Sequence, residues 1–350
     1  MRGMAWVVAG AGVAALWTLP LPAQEVHRVA GDDVAIYNLA GTMRLVPGTG
    51  SEVVVRLTRG GSDAARLAVE TGEVRGRSTL RVVYPDDEIV YPEMGRGSST
   101  TVGVRDDGTF GDGGGGDRVR IRGSGSGLEA WADLVVEVPA GQALAAYLAV
   151  GEMGAGGVEG DFRLDTGSGR ITAMNVTGSL VVDSGSGSVR IRGLDGNLSA
   201  DTGSGAVEVS DVTGDEVVLD TGSGRVSVDG LSAGVLDVDT GSGRVELLRI
   251  SAPQVVVDTG SGSVDLELLT DVDLLELDTG SGSVTVRAPA DLGGMVDIET
   301  GSGGIDLDFP VEVSSARRDR IRGRLGDGDG TIRIDTGSGR VRLEPRAAGS

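Results

Sequence analysis

Carboxylates at a regular spacing are the side chains of this sequence that could do chemistry. Each belongs to a five-residue phrase, Asp-Thr-Gly-Ser-Gly or a close variant of it. The phrases start at Asp165, Asp183, Asp201, Asp220, Asp239, Asp258, Asp278, Glu299 and Asp335. Carboxylate oxygens are ligands that Ca²⁺ prefers, so an acid at the same point of successive repeats could hold calcium between them.

The phrase acids have two interpretations. Calcium could bridge successive repeats, with Asp201, Asp220, Asp239 and Asp258 as ligands. Alternatively, each acid faces water and caps the Gly-rich corner that follows it, as Asp side chains commonly do in turns. The turn is favoured, because the period is about twice that of the nonapeptide calcium repeat and no Gly-Gly-x-Gly-x-Asp motif is present. We therefore expect no cofactor, with calcium as the alternative.

A further calcium candidate is the stretch Asp327-Gly328-Asp329-Gly330-Thr331. Asp327 and Asp329 resemble the first ligands of a calcium loop, but the later ligands and the bidentate Glu do not follow. A turn is favoured here as well.

The composition excludes several catalytic classes. The chain has one histidine, His27, and neither cysteine nor lysine. This excludes histidine-based triads, thiol catalysis, Schiff bases and the lysine of a Walker phosphate loop. Carboxylates and arginines remain, and they would suffice for a carbohydrate-active enzyme, a glycosidase or a lyase, on a β-helix. A groove that joins outward carboxylates to an aromatic side chain would favour that alternative. Since the connections between repeats are short, we predict no catalytic residue and no enzyme.

The charge of the chain limits its partners. The net charge is −21 at pH 7, and all basic residues are arginine. Such an acidic chain without a basic block argues against nucleic acid as a partner. We expect an envelope or extracellular protein or glycan, and no small-molecule substrate.

The elements that position these acids follow from the repeat. The phrase starts are 18, 18, 19, 19, 19, 20, 21 and 36 residues apart, which is typical of stacked repeats. Val217, Leu219 and Thr221 alternate with outward residues, and after the glycines the alternation restarts out of phase at Val226 and Val228. The sequence therefore predicts an all-β fold, a parallel β-solenoid of about 9–11 rungs with a smaller β-rich N-terminal cap.

The alternation also predicts which side chains are buried. Val226 and Val228 should point inward, Ser227 and Asp229 should face water, and a second corner should fall at Asp229-Gly230. In each phrase, Thr and Ser are expected to point inward and Asp outward. The arginines expected to relieve repulsion between the outward acids are Arg170, Arg225, Arg244 and Arg340.

A left-handed hexapeptide solenoid with acyltransferase activity is a third interpretation of the repeat. Two intervals of 18 residues would each fit three hexads. The drift to 21 residues and the absence of a histidine from the repeats argue against it.

The rest of the chain is divided by composition. Residues 1–23 are predicted to be a signal peptide, with an uncleaved anchor as the alternative, because Arg2 precedes an apolar run and Ala23 precedes the expected cut before Gln24. Residues 24–139 are predicted as the β-rich cap, with a mobile Gly-rich loop at 94–127. The solenoid is assigned to 140–345 and a tail to 346–350.

The C-terminal end contains an irregular interval. The 36-residue spacing predicts either a rung without a phrase or an insertion at 314–330. Arg342, Glu344 and Pro345 are expected to close the far end, since charge and proline discourage the addition of another strand.

The Thr-Gly-Ser-Gly phrase with its alternating valines, and the ending from Gly328 to Gly339, resemble the bacterial "putative adhesin" domain of unknown function. That family is related to auto-transporter adhesins with a head domain. The resemblance covers roughly 140–345 and implies a β-helical envelope or surface protein without defined catalytic residues. We therefore expect an exported, non-enzymatic β-solenoid that serves as a structural, adhesion or interaction module in the periplasm, envelope or extracellular space.

Overall fold

The structure is a computed structural model that describes residues 24–111, 115–326 and 328–347. The predicted signal peptide at 1–23 and the calcium candidate Asp327 lie outside the described residues. The described chain is all-β apart from two 3-10 helices, Ala64–Arg66 and Pro92–Met94. Neither of these described helices has the length and apolar character needed to cross a membrane.

The strands, numbered in chain order, are β1 (Gln24–Val29), β2 (Asp33–Pro47), β3 (Val53–Gly60), β4 (Ala68–Val74), β5 (Arg77–Val83), β6 (Glu88–Val90), β7 (Ser99–Val104), β8 (Asp117–Arg122), β9 (Leu128–Glu129), β10 (Trp131–Val138), β11 (Gln142–Gly156), β12 (Gly160–Ser168), β13 (Ile171–Thr177), β14 (Leu180–Ser184), β15 (Val189–Asp195), β16 (Leu198–Thr202), β17 (Val207–Thr221), β18 (Val226–Thr240), β19 (Val245–Ser251), β20 (Gln254–Thr259), β21 (Val264–Leu268), β22 (Leu274–Thr279), β23 (Val284–Ala288), β24 (Gly294–Thr300), β25 (Ile305–Leu307), β26 (Val311–Ala316), β27 (Arg320–Leu325), β28 (Thr331–Thr336) and β29 (Val341–Pro345).

Strands that lead into the phrase form one parallel ladder. Asp220 pairs with Asp201 on one side and with Asp239 on the other, so equivalent residues of successive repeats stack in register. The order in space is β5-β2-β11-β12-β14-β16-β17-β18-β20-β22-β28-β24. The predicted parallel stacking of the repeats is confirmed.

Strands that follow the phrase form a second parallel ladder. Val226 pairs with Val207 and with Val245, again in register. The order in space is β10-β2-β11-β13-β15-β17-β18-β19-β21-β23-β29-β25. A rung is one level of this stack, with one strand in each ladder.

The core lies between the two ladders. Val217, Leu219, Val226 and Val228 are completely buried, whereas Asp229 is exposed. The predicted alternation is therefore confirmed on both sides of the corner. Complete burial of a Val or Leu side chain stabilises the fold by about 1.5–3 kcal/mol. Because the repeat places such residues on every rung, apolar burial holds the stack together.

The phrase makes the corner between the two ladders. The buried Thr221 Oγ1 accepts a hydrogen bond from the Gly224 amide (2.9 Å) and donates one to the carbonyl oxygen of Gly205 on the preceding rung (3.2 Å). A Cβ at Gly224 would overlap that same carbonyl oxygen, so the close approach of the rungs requires glycine. The prediction that Ser points inward is wrong: Ser223 is exposed, because alternation stops where the chain turns.

A second corner follows the second strand of each rung. Asn175, Gly193, Asp211, Gly230 and Arg249 occupy the same point of successive rungs, with φ between 52° and 80°. This left-handed conformation shifts the alternation by one residue, so that Leu231 is buried after the outward Asp229. The corner predicted at Asp229-Gly230 is confirmed.

The ladders cross the boundary predicted at residues 139 and 140. Both halves of β2 pair in parallel with β11, as at Ala35 with Ala145 and Met43 with Met153. Residues 33–47 therefore form a rung of the same stack. Next to this rung, β3 runs antiparallel to both β1 and β10, and β4 runs antiparallel to β5.

A small sheet protrudes from this end of the stack. Its strand order is β7-β8-β6-β9. The segment predicted as a loop, 94–127, thus contains the antiparallel pair β7 and β8. The small sheet covers the outward face of β2 and β11, where Tyr37 and Tyr147 stack with ring centroids 4.6 Å apart beneath Phe110.

The other end of the stack is built out of chain order. β28 lies between β22 and β24, and β29 lies between β23 and β25. The 36-residue interval holds the hairpin of β26 and β27, and β27 runs antiparallel to β24. The prediction that Arg342, Glu344 and Pro345 close the far end is wrong, because β29 is covered by β25.

Candidate functional site

The phrase acids form a continuous column on one face. We call Asp183, Asp201, Asp220, Asp239, Asp258, Asp278 and Asp335 the acidic ladder; they pair in register, one on each rung. The predicted alignment of Asp201, Asp220, Asp239 and Asp258 is confirmed. On the two rungs before Asp165, this position is occupied by Tyr147 and Tyr37.

Neighbouring charges in the acidic ladder oppose one another. The pKa values of Asp201, Asp220 and Asp278 are raised, first by partial burial and then by the carboxylates of adjacent rungs. The Asp220 side chain forms no hydrogen bond among the described residues, because Thr221 caps the corner instead. The interpretation of the acid as the cap is therefore wrong.

The arginines of the phrases do not relieve this repulsion through salt bridges. Arg170 contacts Glu152 (3.6 Å), Arg244 contacts Asp265 (3.7 Å) and Arg340 contacts Asp306 (3.3 Å). Arg225 is exposed and forms no salt bridge with a described residue. The expected pairing is wrong because each arginine follows the corner, so its side chain leaves from the second ladder.

The absence of a cofactor, with calcium as the alternative, stays a prediction. Across the ranges 24–111, 115–326 and 328–347, no three His, Asp or Glu side chains are grouped so that they could hold a metal ion. The acidic ladder offers one carboxylate per rung, and Asp237 adds a second carboxylate beside Asp239 on the same face. Of the other two candidates, Asp329 is exposed and Asp327 lies outside the described residues.

A groove opens where the small sheet meets the glycine corners of the first rungs. We call this space of about 890 Å³ the corner groove. One wall is formed by Tyr91, Glu93, Met94, Ser98 and Trp131. The floor and the other wall are formed by Thr42, Asp133, Val150, Gly151, Glu152, Ser168, Gly169, Arg170, Ser186, Gly187 and Ser188.

Two aromatic side chains are fixed in this groove. Trp131 begins β10 opposite Gly60, and its indole lies where a Cβ of residue 60 would be. Tyr91 follows β6 and is held by a hydrogen bond from its amide to the carbonyl oxygen of Arg122 (2.8 Å). The two rings are 5.8 Å apart with planes tilted by 58°. Trp131 stays partly exposed, so it can offer a stacking surface.

Carboxylates from separate strands meet these rings. Asp133 lies two residues after Trp131, so both side chains leave the same face of β10. Its Oδ1 accepts hydrogen bonds from the amide and the hydroxyl of Thr42, both 2.8 Å long. Thr42 pairs with Glu152 on the next rung, and Glu152 contacts Arg170. Exposed Glu93, in the 3-10 helix Pro92–Met94, lines the same groove.

The pKa of Tyr91 is affected by burial and by these acids. Burial raises the pKa of Tyr91 to about 12, with further contributions from the negative charges of Asp133, Glu93 and Glu152. Tyr91 is 4% exposed, and its hydroxyl forms no hydrogen bond with a described residue. The groove therefore combines an aromatic surface, a negative potential and an unpartnered hydroxyl, which suits a ligand that donates hydrogen bonds or carries positive charge.

The sequence offered little signal for this site. Trp131 is the only tryptophan beyond residue 23, and Asp133 shares its face of an alternating strand. Tyr91 and Glu93 lie outside the repeats. The sheet that positions them includes β7 and β8, which fall in the segment predicted as a loop. A groove that joins carboxylates to an aromatic side chain is the feature expected to favour a carbohydrate-active enzyme. The corner groove brings such residues together.

Comparison with known proteins shows the family of this chain. The family model described as Toastrack DUF4097 matches residues 132–344. No curated protein matches the chain. Among solved structures, a "putative cell adhesion protein" from Clostridium sporogenes ATCC 15579 matches at 10% identity and a TM-score of 0.21, covering 93% of this chain and 100% of that chain. A likeness at this TM-score supports no statement about fold or function.

Proposed function

The chain belongs to the Toastrack DUF4097 family, and from that premise we propose that it is an exported, non-enzymatic interaction module of the cell envelope or cell surface. Its binding site in this proposal is the corner groove. The partner would be an envelope or extracellular protein or glycan. Neither a cofactor nor a small-molecule substrate is part of the proposal.

We further propose that the two parallel ladders, of twelve strands each, form a β-solenoid that acts as a rigid spacer and is slightly longer than the 9–11 rungs expected from the sequence. Support comes from the in-register pairing and from the continuous apolar core. At a strand spacing of about 4.8 Å, twelve rungs would extend over roughly 53 Å. Such a rod would hold the corner groove away from whatever anchors its other end.

The convergence of Trp131, Tyr91 and three carboxylates in one groove carries the binding proposal. Ligand sites are typically concave, of about 300–1,000 Å³, with aromatic side chains and a few polar groups. The corner groove has this size and composition. By contrast, the phrase itself is explained by the corner that it builds, so its recurrence requires no ligand.

The export proposal is tested by fractionation of cells that produce the full chain, with sequencing of the recovered N-terminus. Protein that starts near Gln24 should appear in the periplasm, the envelope or the medium. Unprocessed protein confined to the cytosol would contradict export.

The binding proposal is tested with a steric block. Ser186→Trp places an indole in the groove from an exposed phrase position, and Ser223→Trp makes the same change on a rung away from it. Retention of each variant on immobilised envelope material would be measured by surface plasmon resonance. Ser186→Trp should lose retention while Ser223→Trp keeps it. Equal retention of both variants would remove the corner groove from the proposal.

A carbohydrate-active enzyme is the second candidate, because carboxylates and an aromatic side chain do share a groove. Release of new reducing or unsaturated ends from a panel of polysaccharides would reveal it. Activity that Glu152→Gln or Asp133→Asn abolishes would replace the non-enzymatic proposal. We expect no release, and equal background for both variants.

A further inference from the structure

An exposed pair of arginines lies at the end of the stack remote from the corner groove. Arg317 and Arg318 form the turn between β26 and β27, where the Arg317 amide donates to the Arg320 carbonyl (2.8 Å). Both side chains are exposed, and neither forms a salt bridge with a described residue. By contrast, Arg320 and Arg322 on the same hairpin pair with Asp297. The turn also contains the exposed Asp319, so residues 317–319 together carry one net positive charge in a chain of net charge −21.

The corner groove has the complementary character. Glu93 forms no salt bridge with a described residue, while Asp133 is bound by Thr42 and Glu152 contacts Arg170. Tyr91 is a separate observation: the residue is 4% exposed and lines the groove, and its hydroxyl has no hydrogen-bond partner among the described residues. An arginine could satisfy both features, since its guanidinium donates several hydrogen bonds and stacks on aromatic rings.

The two features cannot meet within one chain. The groove is built on β10, β2, β11 and the end of β12, at one end of the ladders, whereas β27 pairs with β24 at the other end. A contact between the groove of one copy and the turn of another would use two different surfaces. Such a heterologous contact leaves a free groove and a free turn at the ends, and therefore propagates.

Resting on the proposed binding role of the corner groove, we propose that its occupant is a second copy of this chain. The Arg317–Arg318 turn of one copy enters the corner groove of the next, and the chains join head to tail. One guanidinium lies against Trp131 and donates to Glu93, and its neighbour reaches Glu152. The acidic ladder does not compete for the turn, because it lacks an aromatic surface and is open to solvent.

Sedimentation velocity of the full chain tests this proposal through charge reversal. The variant Arg317→Glu/Arg318→Glu keeps the groove and loses the turn, whereas Glu93→Arg/Glu152→Arg keeps the turn and loses the groove. All four side chains are exposed, so both variants should melt like the wild type. The matched control Arg192→Glu/Arg225→Glu reverses two exposed arginines on the rungs.

The wild type and the control should form oligomers whose size grows with concentration. Each groove or turn variant alone should associate at least about tenfold more weakly, because a like-charge contact replaces an opposite-charge one. An equimolar mixture of the two variants retains one intact interface per pair, so it should form at least dimers. It should form longer chains where the reversed turn also pairs with the reversed groove, because those charges are again opposite.

Three results would overturn the proposal: a wild type that stays monomeric, a turn or groove variant that assembles like the wild type, or a mixture that forms no dimer. A monomeric wild type together with loss of envelope retention in Ser186→Trp would leave the proposed function standing and assign the groove to another partner. If Ser186→Trp is retained on envelope material as well as the wild type, the proposed binding function itself would be contradicted.

Discussion

The corner groove and the acidic ladder are both acidic, but they are built in different ways. In the acidic ladder, one Asp per rung stands beside identical neighbours on a flat face. In the corner groove, Asp133, Glu152 and Glu93 come from three parts of the chain and surround two aromatic rings. The acidic ladder follows directly from the repeat, because every rung carries an Asp at the same position. The corner groove exists only because a non-repeating sheet is inserted between the rungs.

This difference indicates where a repeat protein can hold a site. Identical rungs place identical side chains at one spacing, so they make a uniform surface without convergent groups. Convergence requires a segment that leaves the repeat and returns over it, as residues 88–129 do here. Each prediction below changes one of the two regions or the scaffold that they share.

The largest effect is expected from a charge in the shared core. Val228→Asp should unfold or fray the stack, because an unpaired buried carboxylate costs several kcal/mol against a total stability of about 5–15 kcal/mol. Ser227→Asp, next to it on the outward face, should melt within a few degrees of the wild type. Circular dichroism would follow both transitions. Equal melting temperatures would mean that the assigned faces are reversed.

A smaller loss is expected at the corner. Thr221→Val removes a buried hydroxyl that joins Gly224 to Gly205, and should cost about 1–3 kcal/mol of unfolding free energy because the Gly224 amide loses its partner. Ser223→Ala removes an exposed hydroxyl of the same phrase and should change stability by less than about 0.5 kcal/mol. Urea denaturation would measure both. Similar losses in the two variants would argue against the corner bonds.

Removing charges from the acidic ladder should raise the stability of the fold, whereas the changes in the core and at the corner should lower it. The raised pKa values of the ladder mean that the folded state holds these protons more tightly than the unfolded chain does, so the charged ladder destabilises the fold at neutral pH. Asp201→Asn/Asp220→Asn/Asp278→Asn should therefore be slightly more stable than the wild type at pH 7, by about 1 kcal/mol or less in total.

That gain should shrink as the pH falls through the raised pKa values and vanish below the ordinary aspartate value of 3.8. Glu312→Gln/Glu73→Gln, which removes exposed charges elsewhere, serves as the control. A triple variant that is less stable than the wild type at pH 7 would show that the ladder stabilises the fold.

Calcium is expected to have the smallest effect. Because the ladder acids do not converge in groups of three among the described residues, millimolar calcium should leave the melting temperature nearly unchanged. Bound calcium would instead add RT ln(1 + [Ca²⁺]/Kd) for each site. A rise of more than a few degrees that a chelator reverses would make calcium a cofactor and the ladder its site.

The repeated part of the fold could be predicted from the sequence because each inference was local. Val226 and Val228 are two residues apart, and their burial follows from strand alternation. The inward Thr also followed from alternation, but Ser223 did not, because the period-2 rule ends at a turn. Residue preferences favour Asp220 as the cap because Asp commonly caps turns. In the structure, the buried Thr221 hydroxyl accepts the hydrogen bond from the Gly224 amide instead.

The ends of the stack could not be predicted in this way. By sequence, β22 could pair equally well with β24 or with β28, because each of these three strands leads into the same phrase. Nothing local therefore shows that the last rung lies between two earlier ones. The corner groove is lined both by Tyr91 and by a corner more than forty residues later in the chain, and no spacing in the sequence predicts that they lie at one groove.

The central claim is that the corner groove, and not the acidic ladder, is the binding site. It is tested most directly by the fluorescence of Trp131 in a full chain that carries Trp6→Phe and Trp17→Phe, so that Trp131 is the only tryptophan. The probe is a synthetic peptide of residues 311–325, which contains the arginine turn. It should shift the emission with saturation, and Glu93→Gln/Glu152→Gln should weaken binding about tenfold or more, since two opposite charges are removed. Asp201→Asn/Asp220→Asn/Asp239→Asn/Asp258→Asn should leave the affinity within about twofold, because those charges are remote and screened. Binding that the ladder variant loses and the groove variant keeps would contradict the claim.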